Sequence, residues 1–349
     1  MKRLLLILLA LVVAAGFVFA SGQKAEETEG EGEKPQLEIA MVVKLEGVAW
    51  FDNMRLGIQE FNREHPDARV WQTGADTADP AAQVNIVDDL IAQGVDAILV
   101  VPNDPASLVP SFKRARAAGI KTVTHEAANI QNADYDVEAF VNKQYGAHMA
   151  SIMAEWMGGE GVWQPFVGHL TSTTHNQWVD GEVEYLQENH PDAEMATDRL
   201  EEKENQQVAY EKSLELLKSY PELEAIMGSA MSTVPGAAQA IEEQGRVGDV
   251  AAFGTCLPSV AGEYIESGAA KSIHFWVPAH AGYVAANVAY HMLKDQPIEE
   301  GMDLGKPGYE NVQIDENEDG VPVVRGEAWV DVNQENLDEW KNEEGEYEL

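Results

Sequence analysis

The chain has 349 residues, 45% of them hydrophobic, with 60 acidic against 23 basic side chains and a net charge of −37 at pH 7. Acids spread along the whole length make a solvated surface that repels nucleic acid and anionic lipid, which excludes both as partners, and the hydrophobic fraction excludes disorder for most of the chain. The single cysteine, Cys256, excludes an intramolecular disulfide and reads as a small buried filler, so stability must come from packing.

Met1-Lys2-Arg3 precedes an apolar run from Leu4 to Ala15, and Val18-Phe19-Ala20 closes it. That layout predicts an export signal over residues 1–20, cleaved after Ala20. The run is short for a membrane-spanning helix. Ser21 stands where lipid attachment would need a cysteine, so the mature chain is expected to be free in the periplasm. Residues 21–36, rich in Glu and Gly, read as a flexible acidic leader.

From Leu37 onward, short apolar runs alternate with amphipathic stretches. Strands are expected at Leu37–Val43, Arg69–Trp71, Asp96–Val101 and Lys121–Thr124, with helices at Trp50–Glu64, Ala81–Gln93 and Pro105–Ala118. A second half repeats the plan. Its strands are expected at Gly161–Val167, Ala225–Ser229, Val250–Phe253 and Lys271–Trp276, and its helices at Gln177–Glu188, Gln206–Ser219, Val234–Gln244 and Ala279–Lys294. Glu64-His65-Pro66-Asp67-Ala68 is echoed 125 residues on by Asn189-His190-Pro191-Asp192-Ala193, and Asp96-Ala97-Ile98 is echoed 128 residues on by Glu224-Ala225-Ile226. Nearly equal offsets indicate two similar α/β lobes, each a parallel sheet flanked by helices. Near the end, Val321–Val324 and Glu327–Val330 read as a terminal hairpin.

In parallel sheets ligands bind beyond the carboxyl ends of the strands. The loops there hold Trp50, Phe51, Asn103, Asp104, Glu126, Asn176, Gln177 and Trp178. Aromatic faces beside hydrogen-bonding groups suit a polyhydroxylated ligand, whose C–H faces stack while its hydroxyls pair. Trp50 and Phe51 open a helix, where they serve equally well to stack on a ligand or to cap the core. Asp104 precedes Pro105 and fits a helix N-cap as well as a ligand contact. Glu126 directly follows a strand, a position that favours a site.

On Val43-Lys44-Leu45-Glu46-Gly47-Val48 with Trp50-Phe51, Asn176-Gln177-Trp178-Val179, Pro235–Ala240, and Phe275-Trp276 with Gly282-Tyr283, the chain resembles the ribose-type periplasmic sugar-binding proteins that serve ATP-driven importers. The resemblance spans Leu37 to about Val332 and is nearest to the branch binding rhamnose and autoinducer-2. It implies the type I periplasmic binding protein fold, an α/β fold with lobes joined by a hinge. The first lobe would be 37–142 plus 277–305, the second 143–276 plus 306–332, and 333–349 an acidic tail. Three crossings are expected, near Phe140–Gln144, Trp276–His280 and between Gly305 and Val332.

The same resemblance matches Lys44 to a lysine that reaches ligand oxygens and Glu126 to an aspartate that binds hydroxyls. Thr174-His175 stand for an Asp-Gln pair, Ser229-Ala230-Met231 for a Pro-Asp-Ala stretch, and Val277 follows Trp276 where an acid or amide is common. Two lost carboxylates mean fewer acceptors, which favours a less oxygenated sugar. The candidate ligand contacts are therefore Lys44, Trp50, Phe51, Asp104, Glu126, Asn142, Thr174, His175, Asn176, Met231 and Trp276.

No nucleotide loop, hydrolase motif or metal-ligand spacing of histidines occurs, so no cofactor, metal or enzymatic activity is expected. Asp315–Gly320 imitates half a calcium loop, but Gly326 occupies the position of its bidentate glutamate, and a hairpin turn accounts better for it. The expected partners are a small sugar-like ligand and an importer permease, bound by a monomer. A sensory receptor for a signalling partner is the alternative role.

Overall fold

The computed structural model describes residues 36–349; the expected export signal and most of the expected leader lie outside the described residues. The first sheet contains β1 (Leu37–Val42), β2 (Ala68–Thr73), β3 (Ala97–Val100), β4 (Lys121–His125), β5 (Tyr135–Glu138), β12 (Gln313–Glu316) and β13 (Pro322–Arg325). Their order across it is β12-β13-β5-β4-β3-β1-β2, parallel except for β12. The second sheet contains β6 (Glu160–Val167), β7 (Asp192–Met195), β8 (Leu200–Glu201), β9 (Leu223–Gly228), β10 (Ala251–Thr255), β11 (Ala270–Phe275) and β14 (Val330–Asn333). It runs β14-β11-β10-β9-β6-β7 with β8 beside β6, and only β14 is antiparallel.

Helices α1 (Ala49–Glu64), α2 (Pro80–Gln93), α3 (Pro105–Ala117) and α9 (Pro278–Leu293) flank the first sheet. Helices α4 (Asn142–Met157), α5 (Thr173–Asn189), α6 (Gln206–Ser219), α7 (Thr233–Glu243) and α8 (Pro258–Ser267) flank the second. The central strands are apolar because both their faces are covered: Ala97, Ile98, Leu99 and Val100 are all buried. Asp79 and Asp104 cap α2 and α3 just ahead of a proline, satisfying amide groups that the first turn leaves unpaired. The result is two lobes, each a mainly parallel sheet between helices.

The chain passes between the lobes at 139–141, 276–277 and 326–329. Each passage carries one large aromatic, and these meet: Phe140 lies 5.3 Å from Trp276 and 5.8 Å from Trp329 between ring centroids.

Two expectations are corrected here. The segment 306–332 does not belong wholly to the second lobe, because β12 and β13 extend the first sheet beside β5. The hairpin pairs β13 back onto β12 rather than onward to Glu327–Val330. The reason is that the amides of Gly326 and Ala328 donate to the carbonyls of Glu138 and Ala139, which holds 326–329 along the first passage instead of letting it turn. The Asp315–Gly320 stretch is the hairpin turn, with Asn317 Oδ1 accepting from the amides of Asp319 and Val321.

Candidate functional site

The loops after β1, β4, β9 and β11, with the end of β10, converge on one cavity of about 480 Å³, its open mouth included. The first lobe lines it with Lys44, Leu45 and Val48 after β1, Trp50 and Phe51 at the start of α1, and Glu126 after β4. The second lobe adds His175 and Trp178 from α5, Glu204 after β8, Ser229 to Ser232 after β9, and Thr255 at the end of β10. Trp276 stands in the second passage between them.

Lys44 is braced from behind. Gln83 of α2 donates to the carbonyls of Val43 and Val101, and Asn103 Nδ2 donates to the Lys44 carbonyl at 3.0 Å. The backbone is thus held while the side chain, only 4% exposed, reaches across the cleft. Its Nζ donates to Glu126 Oε2 at 2.7 Å and stands 3.5 Å from Glu204 Oε1 and 3.3 Å from His175 Nε2. One ammonium therefore meets a carboxylate from each lobe. Burial pulls the Lys44 pKa down, but the carboxylates of Glu126 and Glu204 outweigh it, and the net shift is upward. Lys44 is charged in this site.

Glu126 adopts a left-handed backbone at φ 61°, a conformation that costs a residue with a side chain about 1 kcal/mol or more. The amide of Ala128 donates to Glu138 Oε1 at 3.0 Å, which helps to hold the turn that aims the carboxylate at Lys44.

Two histidines are held as defined neutral tautomers. His175 Nδ1 accepts from the Gly168 amide at 3.1 Å, so its ring proton sits on Nε2, which faces the cavity. Burial, then the charge of Lys44, pushes the His175 pKa well below the usual value. His125 Nδ1 donates to the Val137 carbonyl at 2.7 Å, leaving Nε2 to accept from the Trp276 indole at 3.2 Å. Burial keeps that ring neutral as well. This chain of bonds fixes Trp276, against which Trp50 packs edge-on with centroids 4.7 Å apart and Trp178 at 5.7 Å.

Of the residues singled out from the sequence, Lys44, Trp50, Phe51, Glu126, His175, Met231 and Trp276 come together around the cavity. Trp50 and Phe51 both line it and belong to the core. Four candidates do not line it. Asp104 caps α3, accepting from the Ala106 amide at 3.0 Å. Asn142 sits behind the wall, accepting from the Trp178 indole at 2.9 Å and donating to Gln177. Asn176 is consumed by the carbonyls of Leu170 and Ser172 and by Arg199. Thr174 is fully buried away from the cavity. Sequence reasoning missed Glu204, because Glu201-Glu202-Lys203-Glu204 looks like solvated surface. The small residues Ser229, Ala230, Ser232 and Thr255 carry no chemical signal, although their place after strand ends does.

Residues 39–297 match the model of the periplasmic binding protein domain, and the chain belongs to that family. The D-ribose/D-allose-binding protein of Pseudomonas aeruginosa is 27% identical over 268 residues, covering 72% of this chain and 79% of that protein. The D-xylose-binding periplasmic protein of Haemophilus influenzae is 25% identical over 259 residues, covering 71% and 75%. Among solved structures, a solute-binding protein of an ABC transporter from Clostridium phytofermentas with bound L-rhamnose superposes with a TM-score of 0.81 at 20% identity, covering 87% of this chain and 98% of that one. LsrB from Clostridium saccharobutylicum in complex with AI-2 gives 0.80 at 18% identity, covering 88% and 100%. These two structures share the fold.

Proposed function

We propose that this chain captures a small sugar-like solute between its lobes in the periplasm and delivers it to the permease of an ATP-driven importer. The observation that carries the reading is the pairing of Lys44 with carboxylates from both lobes beside a wall of tryptophans, all in one cleft. A sugar hydroxyl both donates and accepts. Glu126 and Glu204 offer acceptors, while the Lys44 ammonium and the His175 Nε2–H offer donors. The buried Ser229 hydroxyl has no hydrogen-bond partner among the described residues, and Glu204 Oε1 has only its 3.5 Å ion pair with Lys44, so both have capacity to spare for a ligand. Trp50 and Trp276 supply the apolar surface on which C–H faces stack. Closure around the ligand about the three passages would present one lobe arrangement to the permease and another without it.

A thermal-shift screen of pentoses, hexoses, deoxyhexoses, polyols and autoinducer-2 tests this. A true ligand at a hundred times its dissociation constant adds about 2.7 kcal/mol of stability. If none of these shifts the melting temperature while amino acids or peptides do, the sugar reading fails.

A further inference from the structure

We propose that His148, His274 and Asp331 form a binding site for a divalent transition-metal ion of the zinc type. They lie far apart in sequence, and the fold brings them together at the second-lobe ends of the three passages. His148 is in the second turn of α4, just after the first passage; His274 is in β11, two residues before Trp276; Asp331 is in β14, just after the third. Asp331 Oδ2 lies 2.8 Å from His148 Nε2, and Oδ1 lies 2.6 Å from His274 Nδ1. One donor atom from each of the three lies within 4.8 Å of the other two, and among the described residues this is the one such cluster of His, Cys, Asp or Glu. In so acidic a chain, the cluster stands out for its two imidazoles.

The donor set decides the class of ion. Two imidazoles and one carboxylate suit zinc and its neighbours, whereas calcium and magnesium take oxygen. Bonds of about 2.1 Å place tetrahedral donors roughly 3.4 Å apart, which small side-chain rotations reach from here. The supporting groups fit too. His274 is fully buried, and its Nε2 lies 3.0 Å from Ser272 Oγ. A hydroxyl can donate or accept, so the ring can give its Nδ1 lone pair to a metal and its Nε2–H to Ser272. Trp329 stacks on His148 with centroids 5.4 Å apart and 16° between planes, which sets that ring's orientation. His148 and Asp331 are partly exposed, at 29% and 37%, leaving a route in and room for a water ligand. A bound ion would fasten all three passages on the second-lobe side, two residues from the cavity wall at Trp276.

Calorimetry with Zn²⁺ on the mature chain, stripped with a chelator and held in excess Mg²⁺ and Ca²⁺, tests the site. The expected result is one zinc per chain, a raised melting temperature, and at least about a tenfold loss of affinity in His148→Ala and Asp331→Asn. Absence of stoichiometric binding, or binding unchanged in both variants, would mean adsorption to the acidic surface and would reduce the cluster to a hydrogen-bonded strap. If the variants fail to fold in chelator, the visible spectrum of the parent with Co²⁺ decides: ligand-field bands of imidazole coordination support the site, and the spectrum of the aqueous ion rejects it.

Discussion

In the first lobe, a Cβ on Gly57 of α1 would lie 1.8 Å from the Ala279 carbonyl oxygen of α9; in the second, a Cβ on Gly181 of α5 would lie 2.1 Å from the Lys143 carbonyl oxygen of α4. Gly57 and Gly181 stand 124 residues apart, close to the offsets of the sequence echoes. Both lobes therefore seat the helix entering from a passage against the lobe's first sheet-following helix by the same backbone contact. What they present to the cleft differs. The first lobe supplies an ion pair and two aromatics, Lys44, Glu126, Trp50 and Phe51. The second supplies the small residues Ser229, Ala230, Ser232 and Thr255 together with Trp178 and Met231, and brings Glu204 and His175 up to Lys44. Helix packing imposes one requirement on both halves, while the loops beyond the strands carry no such requirement and hold the chemistry.

The largest effect is expected where the shared device is broken. Gly57→Val and Gly181→Val each force a side chain into backbone and should each cost about 3 kcal/mol or more in urea unfolding. Equal costs sharpen the parallel between the lobes; a neutral result at either site ends it.

A smaller effect depends on pH. Burial pushes the Glu182 carboxyl in α5 up to about 8 from an ordinary 4.5, and neither of its oxygens has a protein partner among the described residues. The folded chain then keeps a proton that the unfolded chain releases, so stability falls as pH rises from 4.5 through about 8. Glu182→Gln should gain at least about 1 kcal/mol at pH 8.5 relative to the parent and little at pH 4. Urea midpoints across pH measure it, and a flat difference would show that the carboxyl is not held protonated. In the first lobe, burial likewise pushes Asp136 up to about 7, with a hydrogen bond from Thr124 opposing the shift, and raises its neighbour Glu138 well above the usual carboxylate range.

The smallest effect distinguishes a cap from a contact. Asp104→Ala should lower stability by about 1 kcal/mol through the lost N-cap of α3 and leave sugar affinity unchanged. A loss of affinity at full stability would return Asp104 to the site.

The alternation of strands and helices was legible because apolar runs, proline starts and glycine stops punctuate it, as at Asp104-Pro105 and Gly119. Helix α4 went unread although Tyr145, Met149, Met153 and Met157 share its buried face, because Val141 offers no capping side chain to mark its start. Helix α8 likewise opens on Leu257 without a side-chain cap. The place of β12 and β13 could not be read from local pattern, since it rests on contacts with β5 nearly two hundred positions away. In the site, Lys44 and Glu126 were legible from strand ends and from family resemblance. Glu204 was hidden in an acidic run, and its approach to Lys44 depends on a pair of left-handed residues, Lys203 and Glu204, that the sequence does not announce.

The central claim is that the ion pair of the first lobe holds a ligand in the cleft. Isothermal titration of Lys44→Met and Glu126→Gln with the sugar found by the thermal screen tests it most directly. Each variant should lose about 1.5–3 kcal/mol of binding, the range for a hydrogen bond to a charged group, while remaining folded. Affinities within about twofold of the parent in both folded variants, less than 0.5 kcal/mol, would contradict the claim and leave the pair a purely structural one.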